Sequence, residues 1–430
     1  MPYDSRHVAT AFFTGIAASY TIYEITKYLG TNKPRTKPNQ LLQHDTTTKP
    51  NDALGIESTI GNTPLIVIKS LSALTGCTIL AKCEFLNGAG NSPKDRVAAS
   101  IITQAEEQGL LTPYSGDTIY EGTVGSTGIS LATLARARGY KAHIVMPNDQ
   151  SHEKSDLLKK LGAIVDRVDP APIVDPLHFV NRARSLAASH TADPDKPGRG
   201  LFADQFETSA NWTAHFSTTG PEIYTQAHGD ISAFVAGAGT GGTLSGVALY
   251  LRSRLPHIRI VLADPQGSGL YNKVRHGVMF HRLEREGTRR RAQVDSVVEG
   301  IGLSRSTRNF EVGEECIDDA VRVSDEQAKR MARWLCERDG IFVGSSSAVN
   351  CELLNMLFVS QCYWYLLQRI NYANDATGYA AVETAMQLGP GHRVVTILCD
   401  SGMRHLSKFW KQVGEIGGEE DMTFDELIKD

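Results

Sequence analysis

Two glycine-rich runs most constrain what this chain can fold into, because each lies between a short apolar stretch and a helical one. Thr118-Ile-Tyr120 leads into Glu121-Gly-Thr-Val-Gly-Ser-Thr-Gly128, and Ile129 to Ala137 then reads as a helix. Ile231-Ser-Ala-Phe-Val-Ala236 leads into Gly237-Ala-Gly-Thr-Gly-Gly-Thr-Leu-Ser-Gly246, with a helix expected from Leu244 to Leu255. A strand that ends in glycines and turns at once into a helix is a building unit of parallel sheets. Further strands are expected at Thr78–Cys83, Lys141–Met146, Ala163–Val168, Ile258–Ala263 and Arg393–Cys399. Helices are expected from Arg96 to Gln108, with Val97, Ile101, Ile102 and Ala105 on one face, and from Ser151 to Leu161. The alternation predicts an α/β fold of mainly parallel sheets with helices on both faces. Ligands of such sheets sit beyond the carboxyl ends of the strands, where both glycine runs fall.

A chain of 430 residues can fill two lobes. Its 41% hydrophobic and 21% charged content is that of a soluble globular protein. A formal net charge of -4 speaks against general nucleic-acid binding. The seven cysteines form no CxxC pair and show no metal-ligand spacing, so they read as buried reduced thiols and no metal is expected. Residues 8–23 carry no charge. That run is short for a spanning helix, which needs about 20 apolar residues. A membrane anchor is the leading reading, with a cleaved targeting peptide or a packed helix as alternatives. The organisation expected is an anchor and tether over 1–51, an N-terminal α/β lobe over 52–205, a C-terminal α/β lobe over 206–416 and an acidic tail over 417–430.

The chemistry rests on three blocks taken together. Gly239-Thr-Gly-Gly-Thr243 follows a strand and opens a helix, so backbone N–H groups and two threonine hydroxyls can face a phosphate, which the helix dipole favours. Lys94, in Gly88-Ala-Gly-Asn-Ser-Pro-Lys-Asp-Arg96, is a candidate imine-forming amine if burial lowers its proton affinity. A phosphate cradle and an imine-forming lysine point to pyridoxal 5'-phosphate.

With these blocks the chain resembles the cysteine synthase / cystathionine β-synthase family of fold-type II pyridoxal phosphate enzymes. The blocks that carry the resemblance are Ile60-Gly-Asn-Thr-Pro-Leu65, Ala81-Lys-Cys-Glu-Phe85, Lys94-Asp-Arg96, Glu121-Gly-Thr, Gln205-Phe206, Asn211 to Glu222, Gly239 to Thr243, Glu299-Gly-Ile-Gly302 and Asp400-Ser-Gly-Met-Arg404. They span Ile60 to Phe409. The resemblance implies a two-lobed fold like that of the tryptophan synthase β subunit. It implies that Lys94 carries the cofactor and moves the substrate α-proton, and that Gly239, Thr240, Gly241, Gly242 and Thr243 hold the phosphate. Thr123, Ser126, Thr127 and Gln205 would meet the substrate or cofactor, Gly300 would lie near the substrate amine, and Ser401 or Asp400 would face the pyridine nitrogen. The family loop reads Thr-Ser-Gly-Asn-Thr-Gly; here Val124 replaces the serine and Ser126 the asparagine, a departure that implies a changed amino-acid substrate, lowered activity or a degenerate enzyme.

The implied reaction is β-replacement on O-acetyl-L-serine by sulfide, releasing acetate. Alternatives are cystathionine β-synthase or serine/threonine dehydratase activity, or a membrane-tethered pseudoenzyme. Similarity to fungal membrane-tethered cysteine synthase-like proteins implies the mitochondrial outer membrane, facing the cytosol, with the cytoplasm as the alternative. A homodimer is implied by the family alone. One segment breaks the pattern: residues 352–378 separate Gly344-Ser-Ser-Ser-Ala-Val-Asn-Cys351 from Ala380 to Leu388, and read as retained intron sequence or a helical insertion.

Overall fold

The structure, a computed structural model, describes residues 55–150, 152–281, 284–285, 296–352, 388–415 and 422–427. The apolar run 8–23, the tether, residues 353–378 and most of the acidic tail lie outside the described residues. Among the described residues no helix is long and apolar enough to cross a membrane.

The strands are β1 (Leu65–Val67), β2 (Thr78–Cys83), β3 (Thr118–Gly122), β4 (Lys141–Pro147), β5 (Ile164–Val168), β6 (Gly200–Phe202), β7 (Ala233–Ala236), β8 (Arg259–Pro265), β9 (Phe280–His281), β10 (Glu284–Arg285), β11 (Asp319–Val323) and β12 (Arg393–Leu398). They form a six-stranded sheet, order β1-β2-β12-β7-β8-β11, a four-stranded sheet, order β5-β4-β3-β6, and the small β9–β10 pair. The four-stranded sheet is wholly parallel. In the larger sheet only β1 runs antiparallel, with Leu65 opposite Lys82. The mainly parallel α/β expectation holds. The divide between the sheets does not follow a single cut at residue 205, because β1 and β2 leave the N-terminal part of the chain to join the larger sheet. Both sheets lie in one compact unit, residues 54–430.

Burial on both faces explains why the central strands read as unbroken apolar runs. In β8, Ile260 and Leu262 enter one core cluster while Val261 and Ala263 enter another, as the two-residue strand period requires. Over the smaller sheet, Val97, Ile101, Ile102 and Ala105 of the Lys94–Glu107 helix pack with Ile119, Leu131, Leu134 and Ile144. The opposite cluster joins Val145, Phe179, Val180 and Ala183. The loops after β3, β7 and β12 then gather at one place, as parallel topology dictates.

Candidate active site

The Lys94 helix starts at Lys94 itself, two residues before its expected start at Arg96, behind Pro93. Proline is well placed there, because a helix start does not need its missing N–H. Lys94 is half-buried, and its side chain finds no hydrogen-bond or ion-pair partner among the described residues. Burial pushes its ammonium toward the neutral amine, while Cys399, Asp400 and Glu84 partly oppose that shift. The next two residues anchor it. Asp95 accepts from Ser130 Oγ at 2.6 Å and from Gly90 N–H at 2.7 Å, and Arg96 pairs with Glu84 at 2.8 Å and Glu222 at 2.6 Å.

Lys94 faces a cavity that also collects Thr123, Ser126, Thr127, Gln205, Gly239, Thr240, Gly241, Thr243, Gly300 and Asp400. Two expected residues are placed otherwise. Gly242 does not line the cavity; it starts the Gly242–Arg254 helix, its N–H directed to Thr240 Oγ1 at 3.4 Å. Ser401 also lies off the cavity: its hydroxyl accepts from Met403 N–H at 3.3 Å, and its backbone bridges to Val343. The hydroxyl that does line the cavity at this end is Ser346, beside Cys399 and Asn350. The sequence signal for it was present in Ser345-Ser-Ser347, which opens a helix, but three adjacent serines do not say which one points inward.

The second glycine run is built as a cradle. Gly241 has φ +89°, and a Cβ there would lie 2.5 Å from the Phe310 backbone; one on Gly239 would lie 2.0 Å from the Gly300 carbonyl. Thr240 Oγ1 accepts from Asn211 Nδ2 at 2.9 Å, and Thr243 Oγ1 meets His215 Nε2 at 3.1 Å. Burial, with Arg96 and Lys94 nearby, holds His215 well below its usual range, so the imidazole is neutral. First-turn N–H groups of a helix have no acceptors within it.

The first glycine run holds a different set of groups. Thr127 donates to Gln205 Oε1 at 2.5 Å, and Gln205 Nε2 donates to Glu121 Oε1 at 3.1 Å. Glu121 is fully buried. Burial, reinforced by Asp204, pushes its carboxyl up to about 8, so it is neutral at pH 7. Val124 packs against the cluster of Val145, Phe179, Val180 and Ala183, which accounts for an apolar residue at this point of the loop.

The remaining wall is charged. His405 lies between Asp400, 3.0 Å from Nε2, and Glu299, 3.4 Å from Nδ1. Burial disfavours its cation, yet the two carboxylates outweigh burial and push it up to about 9. Glu299 also holds Lys154 at 2.8 Å and Lys408 at 3.1 Å.

The model of the pyridoxal-phosphate dependent enzyme family matches residues 56–360. The chain belongs to this family. It is similar to cysteine synthase 2 of Emericella nidulans, 62% identical over 87% of this chain and 83% of that protein. A Saccharomyces cerevisiae relative, 49% identical over 88% of this chain and 89% of its own, is named for the mitochondrion and for cysteine synthase. Cystathionine beta-synthase of Rattus norvegicus is 33% identical over 81% of this chain and 54% of that protein. The crystal structure of O-ureido-L-serine synthase matches with TM-score 0.65 and 27% identity, covering 85% of this chain and 96% of the other. The residues fit pyridoxal phosphate. A glycine cradle too tight for any Cβ opens a helix whose free N–H groups suit a phosphate, and an amine pushed toward neutrality shares the cavity.

Proposed function

We propose that this chain is a cysteine synthase that replaces the β-substituent of O-acetyl-L-serine with sulfide and releases acetate. The observation that carries the reading is one cavity holding the Lys94 amine, the Gly239–Thr243 cradle and the Thr127–Gln205 pair. Bound pyridoxal phosphate supplies an electron sink that acidifies the α-carbon of an attached amino acid. The chain's own residues supply position and proton traffic. Gly239, Thr240, Gly241 and Thr243 hold the phosphate, while Thr123, Ser126, Thr127 and Gln205 orient the substrate. Gly300 leaves room at the substrate amine; its φ of +85° needs glycine, and a Cβ there would meet nothing within 4 Å. Lys94, its proton affinity lowered by burial, takes and returns the α-proton. Ser346 and Asp400 are the polar side chains available to the ring nitrogen.

The test is spectroscopic. Purified protein should carry a visible band that borohydride fixes covalently, and Lys94→Ala should lose the covalent attachment. A band fixed equally in Lys94→Ala would overturn the assignment. The reading extends to place. The yeast relative's name supports mitochondrial residence alone; an outer-membrane tether formed by residues 8–23 and a homodimeric assembly are carried only by the uncharged run in the sequence and by the family resemblance. Deleting residues 1–23 should release the protein from the membrane fraction; unchanged association would rule out the tether.

A further inference from the structure

The hydrogen-bond relay behind the first glycine run ends on a carboxyl group. Thr127 Oγ1 donates to Gln205 Oε1 at 2.5 Å, and Gln205 Nε2 donates to Glu121 Oε1 at 3.1 Å and to the Gly122 carbonyl at 3.3 Å. The Gln205 backbone N–H reaches Glu121 Oε2 at 3.4 Å. Thr127 and Gln205 line the cavity, whereas Glu121 is fully buried behind them. Glu121 therefore stands one amide away from the pair proposed to meet the substrate carboxylate. Its surroundings offer no counter-charge. On β4 its register partner is Ile144, and the Phe179–Ala192 helix sets Val180 against Gly122. The charged side chain that acts on it is Asp204, from the turn after β6, which lies 3.6 Å from Arg184 of that helix. Lys94 shares the cavity, but Glu121 makes no ion pair among the described residues. Two carboxylates close together in a site withdrawn from water do not both ionise without a large cost.

We propose that Glu121 is a positioning residue that sets substrate affinity through its charge: protonated, it holds the Gln205 amide for a substrate carboxylate, and ionised, it drives that carboxylate out. The inference rests on the β-replacement reading for the place of the substrate. Burial and Asp204 keep the proton on Glu121 up to about pH 8, so the loss of affinity falls just above neutrality. The coupling is reciprocal. An anion bound at Thr127 and Gln205 tightens the hold of Glu121 on its proton, so binding above neutral pH takes a proton from solvent and release returns it. No bond to carbon changes in this step.

The experiment follows binding of L-alanine, which has no β-substituent to lose, to the holoenzyme from about pH 6.5 to about pH 9.5, on either side of the Glu121 titration. The dissociation constant is read from the visible cofactor band, and proton uptake from calorimetry in two buffers of different ionisation enthalpy. The amine of L-alanine and Lys94 titrate in every variant, so the wild type is compared with Glu121→Gln, whose side chain stays neutral. Over this range the wild-type constant should rise about tenfold more than that of Glu121→Gln, the scale of one unit of pKa shift. Wild type should also take up more protons on binding than the variant near pH 8. Parallel curves with equal uptake would overturn the inference. Should Glu121→Gln fail to fold, Asp204→Asn removes the neighbouring charge and should start the rise at lower pH; an unmoved onset would overturn it. No response to L-alanine at any pH would overturn it together with the placement of the substrate. Cysteine formation from O-acetyl-L-serine and sulfide separates the two readings. Product with parallel curves leaves β-replacement standing without the role of Glu121, and proton-linked binding without product does the reverse.

Discussion

Lys94 shows how a single residue is prepared by its neighbours. Its amine sits at a helix start, where the positive end of the helix dipole adds to burial in disfavouring the ammonium. Asp95 and Arg96 are consumed by local bonds and cannot pair with it. Glu121 is prepared in the opposite sense. In the fold its carboxyl keeps its proton up to about pH 8, whereas the ordinary value is 4.5. The stability from this group is therefore fully present below about pH 4.5 and is lost as pH rises through about 8. Between pH 5 and pH 9 the thermal midpoint of the wild type should fall further than that of Glu121→Gln, which cannot ionise. Parallel falls in the two proteins would contradict a neutral Glu121.

At the scale of the element, the turn before the Gly242–Arg254 helix depends on backbone shape. Gly241 combines a left-handed φ with the Phe310 backbone in the space a Cβ would take. Gly241→Ala should destabilise the protein by about 1–3 kcal/mol and weaken cofactor binding, measured by denaturant unfolding and cofactor titration. Elements carried by local pattern were legible in the sequence: β2, β4 and β8 are apolar runs, and the glycine runs announce strand-to-helix turns. β1 and β6 are three residues each, too short to set a period, and β1 takes its place only by pairing antiparallel with β2. The Gln205–Glu121 bond joins residues 84 apart, and the choice of Ser346 over Ser401 depends on how β12 and the Gly344 turn meet. No spacing rule reports such contacts.

Across the whole molecule, the two sheets are joined by a buried charge network. Arg96, on the helix that packs over the smaller sheet, reaches Glu84, which follows β2 of the larger sheet. It also reaches Glu222, which holds Lys82 of β2 at 2.7 Å. Removing one member leaves the others buried and uncompensated, so Arg96→Met should cost about 3–5 kcal/mol in unfolding free energy. A loss below about 1 kcal/mol would mean the network is not a structural joint. Because Arg96 is two residues from Lys94, the joint also fixes the amine against the loops of both sheets, where the proposed β-replacement requires it. The most direct measurement is cysteine formation by the holoenzyme from O-acetyl-L-serine and sulfide, alongside Lys94→Ala at equal cofactor. The wild type should form cysteine and Lys94→Ala should lose it by several orders of magnitude; comparable rates in the two proteins, or no product from the wild type, would contradict the account.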